Sequence, residues 1–216
     1  MKFDPRRTAL LVIDMQWFFV SPDSNFGRWM TLANPEGAAY YNDRCQSLVI
    51  PRIGTLLTAF RKVGAHIAYT EMGSFDREGR DLPGWAKRHN EQARATVGQP
   101  MYPSFDDPTC RVIEELAPKE DDFIAQKTTS GPVNSTKLDF QLRSLDIDTV
   151  VVAGVVTDVC VAQTTRELGD RNFEAYVVED ACAALNQMQH DAALATIDLT
   201  FGYVRSTDEI LSAIQA

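Results

Sequence analysis

Histidine is scarce in this chain of 216 residues: His66, His89 and His190 are the only 3, and they lie far apart. Such scatter speaks against a histidine-rich metal site. The 4 cysteines, Cys45, Cys110, Cys160 and Cys182, form no CxxC pair, so in a reducing compartment they are expected to be free thiols. No block of Lys or Arg stands out. The 30 acidic residues outnumber the 21 basic ones and give a net charge of -9, so the electrostatic footprint of a nucleic-acid binder is missing. No apolar run approaches membrane-spanning length. The run Ala9 to Ile13 is too short for a signal peptide and is closed by Asp14. A cytoplasmic protein that binds neither membrane nor nucleic acid is expected. Repeats, low-complexity stretches and linkers are also absent, and a hydrophobic content of 44% is enough for one well-packed core. One domain, 1–216, is expected.

Short apolar runs alternate with helix-length amphipathic segments. Strands are expected at "ALLVID" (9–14), "HIAYTEM" (66–72), "DFIAQK" (122–127), "TVVVAGV" (149–155) and "EAYVVED" (174–180), with a last weak strand at Tyr203–Arg205. Between them, 42–65 reads as a helix with Ile53, Leu56, Leu57, Phe60 and Val63 on one face and Gly64 as its stop. Pro51 suits an early helical position or marks a break before it. Helices are also expected at 109–117, 135–147, 160–171 and 188–201. In the second of these, Ser135 is the cap and Leu138, Leu142 and Leu145 are the buried residues. The segment 73–108 is long, polar and rich in Gly and Pro, and reads as an irregular lid or binding loop. Strand–helix alternation with continuously apolar strands implies an α/β fold: three α/β/α layers around a mostly parallel, Rossmann-like sheet. Such sheets bind ligands at the carboxyl ends of their strands.

Three reactive side chains stand at three such ends. Asp14 closes the first strand, Lys127 closes the third, and Cys160 follows the fourth in "AGVVTDVC". Each has an ordinary reading on its own: a turn former, a solvated charge and a small core residue. Their joint placement on one sheet edge describes acyl transfer. A helix N-terminus and Lys127 would favour the Cys160 thiolate. Asp14 would take the thiol proton and return it to a leaving amine. Backbone N–H groups before and at Cys160 would bind the oxyanion.

The segments "LLVIDMQ", "AQKTTSGPVNSTKLDFQLRSL", "VVVAGVVTDVCVAQTTRE" and "VVEDACAA" resemble, in order, the isochorismatase-like cysteine hydrolases. The resemblance implies that family's parallel-sheet hydrolase fold, and its Asp–Lys–Cys triad falls on Asp14, Lys127 and Cys160. It further implies a non-proline cis peptide at Val155–Val156, with the Val156 and Cys160 N–H groups as the oxyanion hole. Thr157 and Asp158 then read as turn and cap residues. Phe19 matches an aromatic that lines the substrate pocket in relatives. Gln16 would hold Asp14 and join the substrate-binding set, together with Ser130, Asn134 and, from the long loop, Trp85. Trp85 and Lys87 are lid, surface or subunit-contact candidates, and His190 reads as a helix cap or surface residue, with the cleft or a subunit contact as its alternatives.

Members that cleave a vinyl ether lack the cysteine, so its presence favours amide or ureide hydrolysis. Nicotinamidases of this family add a metal site, with an Asp-x-His after the second strand. Here that place reads "YTEMGSFDREGR", with Glu71 the nearest candidate ligand. Neither metal nor cofactor is expected. The overall pattern is similar to the ureide-cleaving branch, which includes N-carbamoylsarcosine amidase and the biuret and ureidoacrylate hydrolases. It implies a small amide or ureide substrate and a homodimer or homotetramer. The alternatives are an isochorismatase-type vinyl-ether hydrolase, which needs Asp14 and not the thiol, and a nicotinamidase-like amidase. From another class, a flavodoxin-like binding domain is weakened because "DMQWFF", with no Gly-rich phosphate loop, follows the first strand.

Overall fold

The computed structural model describes residues 2–215; Met1 and Ala216, the ends of the expected domain 1–216, lie outside that description. Six strands form the sheet: β1 Thr8–Ile13, β2 His66–Met72, β3 Phe123–Lys127, β4 Thr149–Val155, β5 Glu174–Ala183 and β6 Tyr203–Arg205. Nine α-helices accompany them among the described residues: α1 Trp17–Val20, α2 Asn25–Ala33, α3 Pro35–Arg44, α4 Ile50–Val63, α5 Gly84–Val97, α6 Leu138–Ser144, α7 Ala162–Gly169, α8 Gln187–Thr196 and α9 Thr207–Gln215. None is long and apolar enough to cross a membrane.

The sheet is wholly parallel in the order β3-β2-β1-β4-β5-β6. The two central strands, "TALLVI" and "TVVVAGV", are buried at every position, as expected for strands covered on both faces. Their side chains alternate between two cores. Leu10, Val12, Val151 and Ala153 pack with Ile53, Leu56 and Phe60 of α4 and with Ile210 and Ala213 of α9. Ala9, Leu11, Val150 and Val152 pack with Leu138 and Leu142 of α6, Leu168 of α7 and Leu194 of α8. The strand order reverses between β1 and β4, which makes their carboxyl ends the topological switch point where such sheets open a crevice.

Gly154 shapes that point. It has φ +122, and a Cβ there would lie 2.1 Å from Ile13 O on the neighbouring strand. Only glycine lets β4 approach β1 this closely while its register with β5 shifts between Val152 and Gly154.

Several elements differ from the sequence-based expectation. The helix expected at 42–65 is the second half of a continuous column, α3 and α4 joined through a π-helical turn at Cys45–Val49. Pro51 has no N–H for the carbonyl one turn back, and the π turn just before it absorbs the mismatch. Gly64 does end the column, with φ 71 and Ala65 N–H donating to Phe60 O at 3.0 Å. The segment 73–108 is not an irregular loop, since it contains α5. That helix buries Ala86, Asn90 and Ala93, a face too small and too polar to register as amphipathic. Residues 109–117 form two single 3₁₀ turns, Pro108–Cys110 and Glu114–Leu116. Ser135 is not a helix cap, because its hydroxyl donates to Gly131 O at 2.7 Å and α6 begins at Leu138. Leu145 is 40% exposed rather than buried. The helix expected at 160–171 is a π turn, Thr157–Val161, followed by α7.

Candidate active site

Asp14 follows β1 with φ 51, a conformation in which its own carbonyl accepts the Gln16 N–H at 2.7 Å. The strand therefore stops abruptly, and the carboxylate turns across the sheet end. Lys127 reaches the same point from the end of β3. Its ammonium has three N–H donors and three partners: Asp14 Oδ2 at 2.7 Å, Thr129 O at 3.1 Å and Cys160 Sγ at 3.5 Å. The other carboxylate oxygen, Asp14 Oδ1, accepts from Thr70 Oγ1 at 2.6 Å. Asp14 is 0% exposed, Lys127 1% and Cys160 4%. The structure thus brings together all three triad residues.

Burial is the largest influence on the Cys160 thiol. The net shift is upward, to about 12: desolvation raises the pKa most, the Lys127 charge pulls it down and the Asp14 charge raises it. The net upward shift favours the thiol over the thiolate that the helix N-terminus and Lys127 were expected to favour. Burial works to lower the Lys127 pKa, but the charges of Asp14 and Cys160 outweigh it and the net shift is upward, so Lys127 stays protonated. A proton must therefore leave sulfur during attack, and the Asp14 carboxylate is the base at hand.

Cys160 lies on the π turn Thr157–Val161. Val156 O accepts the Val159 and Val161 N–H groups at 3.1 and 3.2 Å, and the Val155–Val156 peptide is cis. The Val156 N–H donates to no protein acceptor among the described residues. Neither Thr157 nor Asp158 is a side-chain cap; Val156 holds the cap position without a side-chain bond. Instead Thr157 Oγ1 lies 2.9 Å from His190 Nδ1, and Arg44 Nη2 lies 3.0 Å from His190 Nε2. Arginine only donates, so Nε2 accepts and Nδ1–H donates to Thr157. His190 is 2% exposed and bonds the turn that carries Cys160, so it is neither a cap nor a surface residue.

Above Cys160 opens a cavity of about 500 Å³. Phe19, Trp85, Ser130 and Val156 line it, as anticipated, and so do Phe26, Trp29, His89 and Tyr102, which sequence reasoning missed. Trp85 packs edge-on against Tyr102 with ring centroids 5.8 Å apart, and Phe19 against Phe26 at 5.3 Å. Trp85 and the exposed Lys87 belong to α5, which makes Trp85 part of a helical wall.

Two anticipated substrate contacts are corrected. Gln16 is fully buried, and its amide joins Met72 O at 2.9 Å to Cys110 O at 2.6 Å, away from the cavity. Asn134 is exposed and its Oδ1 accepts from Arg171. Glu71 is engaged by Gln126 Nε2 at 3.0 Å and by Arg111 Nη1 at 3.7 Å. Among the described residues no three or more His, Cys, Asp and Glu side chains are grouped to hold a metal ion. All four cysteines are free and buried.

The isochorismatase domain matches residues 8–209. The chain belongs to the isochorismatase family. A cysteine hydrolase from Pseudomonas syringae pv. phaseolicola 1448A is 28% identical with TM-score 0.81, covering 100% of this chain and 95% of that one. N-carbamoylsarcosine amidase from Thermoplasma acidophilum is 26% identical with TM-score 0.67, covering 96% and 98%. An isochorismatase-like hydrolase from Alkaliphilus metalliredigens, 23% identical with TM-score 0.70 over 96% and 98%, shares the fold. The six-stranded parallel sheet is thus that of an isochorismatase-family hydrolase, with Asp14, Lys127 and Cys160 at its switch point.

Proposed function

We propose that this isochorismatase-family hydrolase is a metal-independent cysteine amidohydrolase that cleaves a C–N bond of a small amide or ureide through a thioester. The observation that carries the reading is the position of the Lys127 ammonium, 2.7 Å from Asp14 Oδ2 and 3.5 Å from Cys160 Sγ. That arrangement sets a nucleophile beside a base without letting Asp14 remain an uncompensated buried charge. The N-carbamoylsarcosine amidase among its structural neighbours supports the assignment to C–N cleavage.

In this reading Cys160 Sγ attacks the carbonyl carbon as its proton passes to Asp14. The carbonyl oxygen becomes an oxyanion held by the Val156 and Cys160 N–H groups. The intermediate collapses, the C–N bond breaks, and Asp14 returns the proton to the departing nitrogen, which leaves as ammonia or an amine. A water molecule then attacks the thioester carbon and gives a proton to Asp14. The C–S bond breaks, the acid is released, and the proton returns to sulfur. Phe19, Trp85 and Ser130 border the bound acyl group.

The test is ammonia release over a panel of amides and ureides by the wild type and by Cys160→Ala. The variant is expected to keep the wild-type circular dichroism and lose turnover. Mass spectrometry with a slow substrate is expected to find the adduct on Cys160 and not on Cys45, Cys110 or Cys182. Full activity in Cys160→Ala overturns the mechanism and favours a vinyl-ether route through Asp14 alone.

A further inference from the structure

The cavity above Cys160 is lined by aromatic and apolar side chains and Ser130. The one imidazole on its wall among the described residues is that of His89. Burial, then the neighbouring Arg88 charge, push the His89 pKa down, which favours the neutral ring. Its Nδ1 lies 3.2 Å from Tyr102 Oη. Lys127 sits below the floor with every ammonium proton engaged. Arg44 faces away, with Nε donating to Cys182 O at 2.8 Å and Nη2 to Glu179 O at 3.0 Å. No Arg, Lys, Asp or Glu side chain lines the cavity among the described residues. Phe19, Phe26, Trp29, Trp85 and Tyr102 do, and together they present ring faces and edges.

A substrate carboxylate in this space would leave water without gaining a charged partner, and a buried unpaired charge is strongly disfavoured. A flat apolar group would instead replace water against aromatic walls. We propose that the substrate of this site is an uncharged amide or ureide whose acyl side carries an apolar group of ring size, and that the cavity rejects carboxylate-bearing compounds such as N-carbamoyl amino acids. This rests on Cys160 being the nucleophile of an amidohydrolase. It narrows the ureide class toward which the sequence pointed.

Four amides with the same ring and scissile bond separate charge from size: benzamide, 4-methylbenzamide, 4-carbamoylbenzoate and 4-(aminomethyl)benzamide. Two readouts are needed: kcat/KM for ammonia release by the wild type, and Kd by calorimetry on Cys160→Ala, which reads the cavity whether or not a bond is cut. The neutral pair is expected to exceed the carboxylate by about 100-fold or more in both, as an unpaired buried charge requires. Val159 lines the cavity and is 43% exposed, so Val159→Lys places a cation at the rim and is expected to narrow that gap at least tenfold. Equal or tighter binding of the carboxylate overturns the proposal. So does preference for the ammonium compound, which would make the aromatic walls a cation site. Failure of all four to bind overturns it as well. Neutral-selective binding to Cys160→Ala without ammonia release by the wild type upholds the cavity chemistry and removes the amidohydrolase reading instead.

Discussion

Thr70 Oγ1 donates to Asp14 Oδ1 across 2.6 Å, and the same oxygen accepts the Asp14 N–H at 3.1 Å. The pairing follows from the sheet: Thr70 on β2 lies in register with Ile13, the residue before Asp14. A single hydroxyl therefore fixes both the backbone turn and the orientation of the proposed base. Thr70→Val keeps the shape and removes the donor to a charged group, an interaction of about 1.5–3 kcal/mol. Turnover is expected to fall ~10–100-fold, with little change in thermal unfolding, and Thr70→Ser is expected to recover most of it. Wild-type rates in Thr70→Val would show that Lys127 alone orients Asp14.

The Cys160 thiol, held up to about 12 by burial and then by Asp14, predicts an unusual alkylation profile. At pH 8 the thiolate fraction is on the order of one in ten thousand. Labelling by iodoacetamide should therefore be slow and rise about tenfold per pH unit without levelling below pH 11. Asp14→Asn removes a charge that raises the thiol pKa and leaves that of Lys127, which lowers it. That variant should label faster at pH 8 while losing hydrolysis. Slower labelling in Asp14→Asn would mean that Asp14 activates the resting thiol directly.

The meeting of Asp14, Lys127 and Cys160 was legible because apolar runs ending in the first two, and a third leading to Cys160, must share one edge of a parallel sheet. The supports around it were not. Thr70 looks like any strand threonine until the register sets it beside Asp14. Gln16 follows β1 closely enough to suggest a substrate contact, yet its amide turns inward to Met72 and Cys110. The rest of the cavity wall was hidden for a different reason. His89 joins the anticipated Trp85 there through α5, a helix of low hydrophobicity whose buried face is only Ala86, Asn90 and Ala93. Asn90 holds that helix by a polar route, its Oδ1 accepting the Met101 and Tyr102 N–H groups at 2.9 Å each.

His190 links Arg44 on α3 to Thr157 on the turn that carries Cys160, and only the neutral ring can accept from Arg44 while donating to Thr157. Burial, then the Arg44 charge, push its pKa down to about 4. A histidine depressed in the folded state stabilises it fully above the unfolded value of about 6.5, and this is lost as pH falls toward 4. His190→Asn keeps a donor but cannot titrate. Urea midpoints for both proteins at pH 7.5, 5.5 and 4.5 should show the variant's deficit shrinking on acidification. A deficit that stays constant would mean that the ring charges without breaking its bonds.

Gly154 and Gly64 both have positive φ, but they should respond differently to a methyl group. A Cβ at Gly64, φ 71, meets nothing within 4 Å, so Gly64→Ala carries only the left-handed backbone cost of about 1 kcal/mol and leaves activity unchanged. At Gly154, φ 122, the Cβ would lie 2.1 Å from Ile13 O and 2.8 Å from Ile13 N, both backbone atoms of the strand that presents Asp14. Relief requires β1 and β4 to separate where the proposed base and nucleophile diverge from the sheet. Gly154→Ala is therefore expected to lose ~3 kcal/mol or more in urea unfolding. Any folded fraction should have turnover reduced beyond what that loss explains, because Asp14 and Cys160 no longer share a fixed separation. Equal stability losses at the two glycines would mean that the sheet yields at this point, and that the close approach of β4 to β1 does not hold the site together.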